Sequence, residues 1–264
     1  MTSLGNFVLE VHTALFDGHD TSVLDKHFAD NFVEHSPLIA NDAEGLKKFV
    51  TDLGEGLKYT NARVIADEAN NLVALHGRFD GIEDEPFVGF DIYRVEGDKI
   101  VEHWDNLVPK AEPNESGRTQ LDGTTDAGDE SLTEENRKFV IKFFERSLIG
   151  SDYSGFIDNT RDDQFAQHSP DIADGAQNCV DFLTKLKEDG EGLEYERIHR
   201  TIAQGQFVLT HSEGSIAGAR HSYCELWRVE DGKLVEMWDA ISEVPSDNEA
   251  LHSHGGPDPC LVDT

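Results

Sequence analysis

The sequence predicts an α+β fold built twice in tandem, and three observations carry that expectation. The first is a long internal repeat. Phe32-Val33-Glu34-His35-Ser36-Pro37-Leu38-Ile39-Ala40-Asn41 returns 133 residues later as Phe165-Ala166-Gln167-His168-Ser169-Pro170-Asp171-Ile172-Ala173-Asp174. Tyr93-Arg94-Val95-Glu96-Gly97-Asp98-Lys99-Ile100-Val101-Glu102-His103-Trp104-Asp105 returns 134 residues later as Trp227-Arg228-Val229-Glu230-Asp231-Gly232-Lys233-Leu234-Val235-Glu236-Met237-Trp238-Asp239. That period exceeds the 20–50 residues of solenoid repeats, so it marks a duplicated domain. The second observation is order: each copy opens with helical periodicity and closes with strand-like runs. The third is the pair of tight turns, Glu96-Gly97-Asp98-Lys99 and Glu230-Asp231-Gly232-Lys233, which join the last two runs of each copy as hairpins.

Taken in order, Phe7, Val8, Val11 and Leu15 outline a first helix that Asp17-Gly18 ends. A short helix is expected over residues 22–29, with Asp20 or Thr21 as its cap. Leu46, Phe49, Val50 and Leu53 recur at the spacing of one helical face, with Asn41 or Asp42 before them and Gly54 and Gly56 after. Cys179, Phe182, Leu183 and Leu186 repeat this helix, which makes Cys179 a core residue in a leucine position. Strands are expected over residues 63–66, 71–79, 87–95 and 100–107. The resulting division is a first domain over 1–109, a linker over 110–132 rich in turn-forming residues, a second domain over 133–246, and a tail over 247–264.

Composition excludes several classes. With 53 acidic against 22 basic residues, the formal charge is −31, the wrong sign for nucleic acid or an anionic membrane surface. No apolar run reaches the ~18 residues of a membrane span, and the N-terminus lacks the basic and apolar regions of a secretory signal, so a cytoplasmic location is expected. Cys179, Cys224 and Cys260 form no disulfide framework. His252 and His254 with Cys260 fit no zinc pattern, and no metal or cofactor is expected. Phosphate-cradling glycine motifs and the Gly-x-Ser-x-Gly elbow are absent.

The quoted repeats, above all Gln167-His168-Ser169-Pro170 and the hairpin closing on Glu102-His103-Trp104-Asp105, resemble the nuclear transport factor 2-like superfamily and its SnoaL-like (polyketide cyclase-like) group. The resemblance implies two cone-shaped α+β barrels, each a curved mixed sheet wrapped on helices around a pocket. It also implies that such domains pair through their sheets, here as an intramolecular pseudo-dimer or within a homo-oligomer. The activity it implies is cofactor-free aldol-type cyclisation or isomerisation of a small apolar or carbonyl-containing molecule.

Strand alternation puts His103, Asp105 and Leu107 on one face and Glu102, Trp104 and Asn106 on the other, and the more apolar first face is expected to line the pocket. A carboxylate inside an apolar cone is a proton shuttle, and a neighbouring histidine supplies the complementary acid. Asp91, His103, Asp105 and His35 are therefore the candidate catalytic residues. Tyr93, His76, His168, His211, Glu225, Trp227 and Asp239 are the candidate ligand-binding residues. Two alternatives stand beside this reading: the histidines and aspartates serve the fold alone, or the pair of domains binds a small molecule without transforming it. Because His103 becomes Met237 in the second copy, the first pocket is expected to be the active one.

The charge also bears on stability. Either this is a strongly acidic protein of ordinary habitat, or its surface is adapted to a salty interior, where repulsion is screened over about 3 Å at 1 M salt. The second reading predicts a melting temperature that climbs from low to molar KCl; a flat profile rejects it.

Overall fold

The computed structural model describes residues 3–161, 164–246 and 249–251. It divides into two compact units, one of the first 110 residues together with the segment from Val244 onward, the other of Ala111–Glu243.

In the first unit α1 (Ser3–Phe16) and α2 (Ser22–His27) lead directly into β1 (Phe28–Glu34). Then come α3 (Ala43–Leu53) and four strands, β2 (Lys58–Asp67), β3 (Leu72–Asp80), β4 (Phe87–Glu96) and β5 (Lys99–Pro109). The sheet order is β1-β5-β4-β3-β2, antiparallel except where β1 runs parallel to β5. β1 is a departure from the expected helix over 22–29. The helix ends at His27, and the chain turns extended so that its backbone donors and acceptors join the edge of the sheet.

The third helix begins as its sequence implies: the Asp42 side chain accepts from the Gly45 backbone N–H at 2.9 Å, and Gly54 closes it at φ 58°. Val8, Val11, Leu15 and Phe16 of α1 and Leu46 and Val50 of α3 pack on Val73, Leu75, Phe79 and Tyr93. This is the core, and it occupies the inner face of the sheet. The other face carries Ile65, Ala74, Phe90, Ile92 and Trp104, which are also buried.

The second unit repeats the plan. After α4 (Thr133–Phe144), which runs on into a wider turn at Glu145–Ile149, come α5 (Ser154–Asn159), β6 (Ala166–Gln167), α6 (Ala176–Asp189) and the strands β7 (Leu193–Gln204), β8 (Phe207–Ile216), β9 (Ala219–Glu230) and β10 (Lys233–Glu243). Its order is β6-β10-β9-β8-β7, with β6 parallel to β10. The turn-rich segment before α4 is stitched to this unit. Asn114 donates to the carbonyls of Gln167, Ser169 and Ile172, and Trp238 Nε1 donates to the Asp122 carbonyl at 2.9 Å. No helix among the described residues is long and apolar enough to cross a membrane.

Leu46 is fully buried where α3 meets the sheet. Leu46→Ala should cost about 2–5 kcal/mol and Asp42→Ala about 1 kcal/mol in urea unfolding. Equal, small losses would show that α3 is not anchored through that face.

Candidate functional site

The site of each unit is assembled on its last two antiparallel strands and the parallel strand beside them. In the first unit Asp91 stands opposite Asp105, Tyr93 opposite His103, and His103 opposite Glu34 of β1. All five side chains belong to the inner face. The His103 ring is held on both sides: Nδ1 lies 2.9 Å from both carboxylate oxygens of Glu34, and Nε2 lies 3.2 Å from Asp91 Oδ1. Glu34, Asp91 and His103 are essentially inaccessible, whereas Asp105 is half-buried. Glu34 also accepts from the Ser36 N–H at 2.9 Å, which locks its carboxylate on the turn after β1.

Burial opposes a charge on His103, but Glu34 and Asp91 outweigh it and lift its pKa well above the ordinary histidine value. Burial pushes Asp105 up to about 7, with His103 pulling the other way and Glu34 and Asp91 adding to the rise. Beyond Tyr93 the chain of polar atoms continues to His12 Nδ1, 2.7 Å from the phenol oxygen. Burial lowers His12 to about 4, so this imidazole is neutral. Asp91 Oδ2 and His12 Nε2 are buried with no hydrogen-bond partner among the described residues.

The same positions in the second unit are changed as a set. Gln167 replaces Glu34 opposite Met237, which replaces His103, while Glu225 and Asp239 keep the two carboxyls opposite one another and Trp227 replaces Tyr93. A cavity of about 450 Å³ opens there, and Gln167, Glu225, Trp227, Met237 and Asp239 all line it. Tyr195 donates to Glu225 Oε1 at 2.7 Å, and Trp227 Nε1 donates to Thr210 at 3.1 Å. Burial raises Glu225 to about 8, against the hydrogen bond from Tyr195 and with Asp239 adding to the rise. Burial likewise raises Asp239 to about 6, partly offset by Ser169.

The strands beside the site also differ between the units. Phe79 stands opposite Tyr59 in the first unit, where the rings of His12, Phe16, Tyr59 and Phe79 pack together at 4.1–5.7 Å. Gly214 stands opposite Tyr195 in the second, so no ring covers Tyr195 from that position.

Four histidines expected at the pocket do not reach it. His35 stacks on Trp104 at 4.6 Å and approaches Glu102 at 3.3 Å, on the opposite side of the sheet from Asp91. His168 stacks likewise on Trp238 and lies 2.9 Å from Glu236. His76 stacks on Phe90 with Arg63 at 3.1 Å, and His211 sits between Arg200 and Ser222. Alternation is the cause: His76 and His211 follow Leu75 and Thr210, which face the core opposite Asp91 and Glu225. A catalytic part for His35 beside Asp91 is therefore withdrawn. Asp91, His103, Asp105 and Tyr93 do come together, as do Glu225, Trp227 and Asp239. Glu34 and His12 were not anticipated; the identical spacing of Glu34-His35-Ser36-Pro37 and Gln167-His168-Ser169-Pro170 was the available signal for Glu34. Cys179 is buried, its thiol pushed up to about 12 by burial. His252, His254 and Cys260 lie outside the described residues, among which no cluster suited to a metal occurs.

Residues 9–103 match the family model of the SnoaL-like domain. No curated protein sequence matches the chain. Among solved structures it is similar to TsrD from Streptomyces laurentii, at 15% identity over 40% of this chain and 90% of that one, with a TM-score of 0.34. It is similar to an LEH-like epoxide hydrolase of M. tuberculosis, at 22% identity over 42% and 84% with a TM-score of 0.35. It is also similar to an NTF-2 like protein of unknown function from Burkholderia xenovorans LB400, at 17% identity over 44% and 89% with a TM-score of 0.36.

The first-unit cluster gives stability a definite pH dependence. His103 holds its proton more tightly folded than unfolded, so its contribution is complete below about pH 6.5 and is lost as pH rises through the raised folded value. Asp105 acts with the same sign between its ordinary 3.8 and about 7. Glu34→Gln should cost about 3–5 kcal/mol at pH 6 and flatten the decline above it, read by urea unfolding at pH 6 and pH 9. A variant as stable as the parent at pH 6 would show that the cluster is not held by charge.

Proposed function

We propose, for a chain whose residues 9–103 match the SnoaL-like domain model, that it is a cofactor-free small-molecule pocket protein whose second unit holds the molecule and exchanges protons with it. The observation that carries this reading is the cavity of about 450 Å³ with Glu225 and Asp239 opposite each other on its wall. Apolar side chains such as Leu183, Ile172 and Ile241 make up most of the rest, which suits a compact hydrophobic frame. This reverses the expectation that followed from the loss of His103: a cavity opens in the unit that lacks this titratable group.

The two carboxyls are pushed to different values by their surroundings, which is the arrangement that divides acid from base. Near neutral pH, Glu225 at about 8 retains its proton and Asp239 at about 6 has lost it. With a carbonyl compound in the cavity, Asp239 takes a proton from the carbon beside the carbonyl while Glu225 hydrogen-bonds the developing enolate oxygen. Return of the proton to another carbon isomerises the molecule, and attack of the enolate on a second carbonyl closes a ring. A second reading, binding without turnover, draws on the Glu225 carboxyl being already engaged by Tyr195 and by Thr210.

The two readings separate in solvent exchange. With decalone as probe in deuterium oxide, the acid–base reading predicts accelerated loss of the proton signals beside the carbonyl, and a reduction of about 10²-fold or more in Asp239→Asn. Decalone that raises the melting temperature without faster exchange supports binding alone. Decalone that does neither counts against the cavity as its site.

A further inference from the structure

The two units offer the same site with and without an internal cation. In the first, the carboxylates of Glu34 and Asp91 close on the His103 ring from either side. In the second, the register places Met237 at the His103 position and Gln167 at the Glu34 position, yet Glu225 and Asp239 remain. All four of these residues line the open cavity. Two more carboxylates, Asp171 and Glu191, line it as well and are exposed, and no Lys, Arg or His occurs among the described residues lining it. A buried carboxyl pair with no positive partner is costly to ionise, and an anionic ligand would compound that cost. A ligand bringing its own positive charge would remove it, through charge-assisted hydrogen bonds of the kind His103 makes in the first unit. Trp227 and Tyr195 on the same wall add aromatic surface of the sort that accommodates organic cations.

We infer that the second-unit cavity selects an apolar amine, whose ammonium group, held in the cavity beside Met237, supplies the positive charge that the His103 imidazole supplies in the first unit and pairs with Glu225 and Asp239. The inference rests on the reading of this cavity as a binding site and goes further in naming the charge of the occupant. The occupant is an amine whether or not it also carries the carbonyl of the acid–base reading.

The test uses the full chain and three molecules with one hydrophobic frame: adamantylmethylamine, adamantylmethanol and adamantane carboxylate. Calorimetry in 1 M KCl suppresses attraction to the acidic surface. The amine should bind at least about tenfold more tightly than the alcohol, and the carboxylate should not bind. Asp239→Asn should weaken the preference for the amine, and the double variant Glu225→Gln with Asp239→Asn should bring amine and alcohol to within about threefold of each other. Met237→His, which restores an internal cation, should remove the preference for the amine. An alcohol that binds as tightly as the amine in the parent protein overturns the inference and leaves the cavity as a binding site. A preference for the amine that survives in Met237→His places the amine on the surface and likewise overturns it. Failure of all three molecules to bind overturns the binding reading together with the inference.

Discussion

The molecule is organised around how a carboxylate is kept inside an apolar cone. A buried charge is tolerated only with a partner, and removing one member of a buried pair costs several kcal/mol. The first unit meets this constraint with the imidazole of His103, clamped between Glu34 and Asp91 and covered by Tyr93, whose ring stacks on it at 4.5 Å. The second unit meets it by retaining the proton on Glu225, which burial raises to about 8, so that its two facing carboxyls are not both charged near neutral pH. Glu34 and His103 are replaced together, by Gln167 and Met237. Changing either alone would have left an unbalanced group in the core. The two copies thus share a scaffold and differ in the electrostatic solution, and Gly214 stands opposite Tyr195 where Phe79 stands opposite Tyr59.

Much of this was legible in the sequence. The repeat, α1 and α3, the closing hairpins and the face occupied by His103, Asp105 and Leu107 all follow from periodicity, because each is a local pattern with one dominant period. β1 was not legible. Its pairing with β5 shifts register between Phe28 and Val33, so buried and exposed positions do not alternate cleanly along Phe28–Glu34, and the segment follows a helix with no turn residue between them. Missing that strand meant missing Glu34, the strongest partner of His103. The histidines misled for a related reason: His35 and His168 sit just beyond a parallel strand, where chain direction alone does not say which side of the sheet the ring takes. The placement of chemistry in the first unit rested on titratable groups. The contrast between Phe79 and Gly214 appears only once β2–β3 and β7–β8 are in register.

The outer-face clusters show the same residues in a structural part. His35 on Trp104 beside Glu102 and Arg94 is matched by His168 on Trp238 beside Glu236 and Arg228. Both histidine backbones also donate to the last strand, at the carbonyls of His103 and Met237. These rings are repeated because they fasten the parallel edge of each sheet, and by doing so they fix the residue before them, Glu34 or Gln167, against the site. Scaffold and site are therefore coupled through single backbone steps, which explains why the motif persists in both copies while the chemistry beside it does not.

The central claim is that the second unit holds its facing carboxyls with no cationic side chain among the described residues of the cavity wall. Carbon-13 NMR of the side-chain carboxyls, followed against pH in the unliganded protein, tests it at the atom concerned. The account predicts that Glu225 titrates near 8. A midpoint at the ordinary glutamate value of 4.5 would contradict it, since the carboxyl would then be solvated or paired.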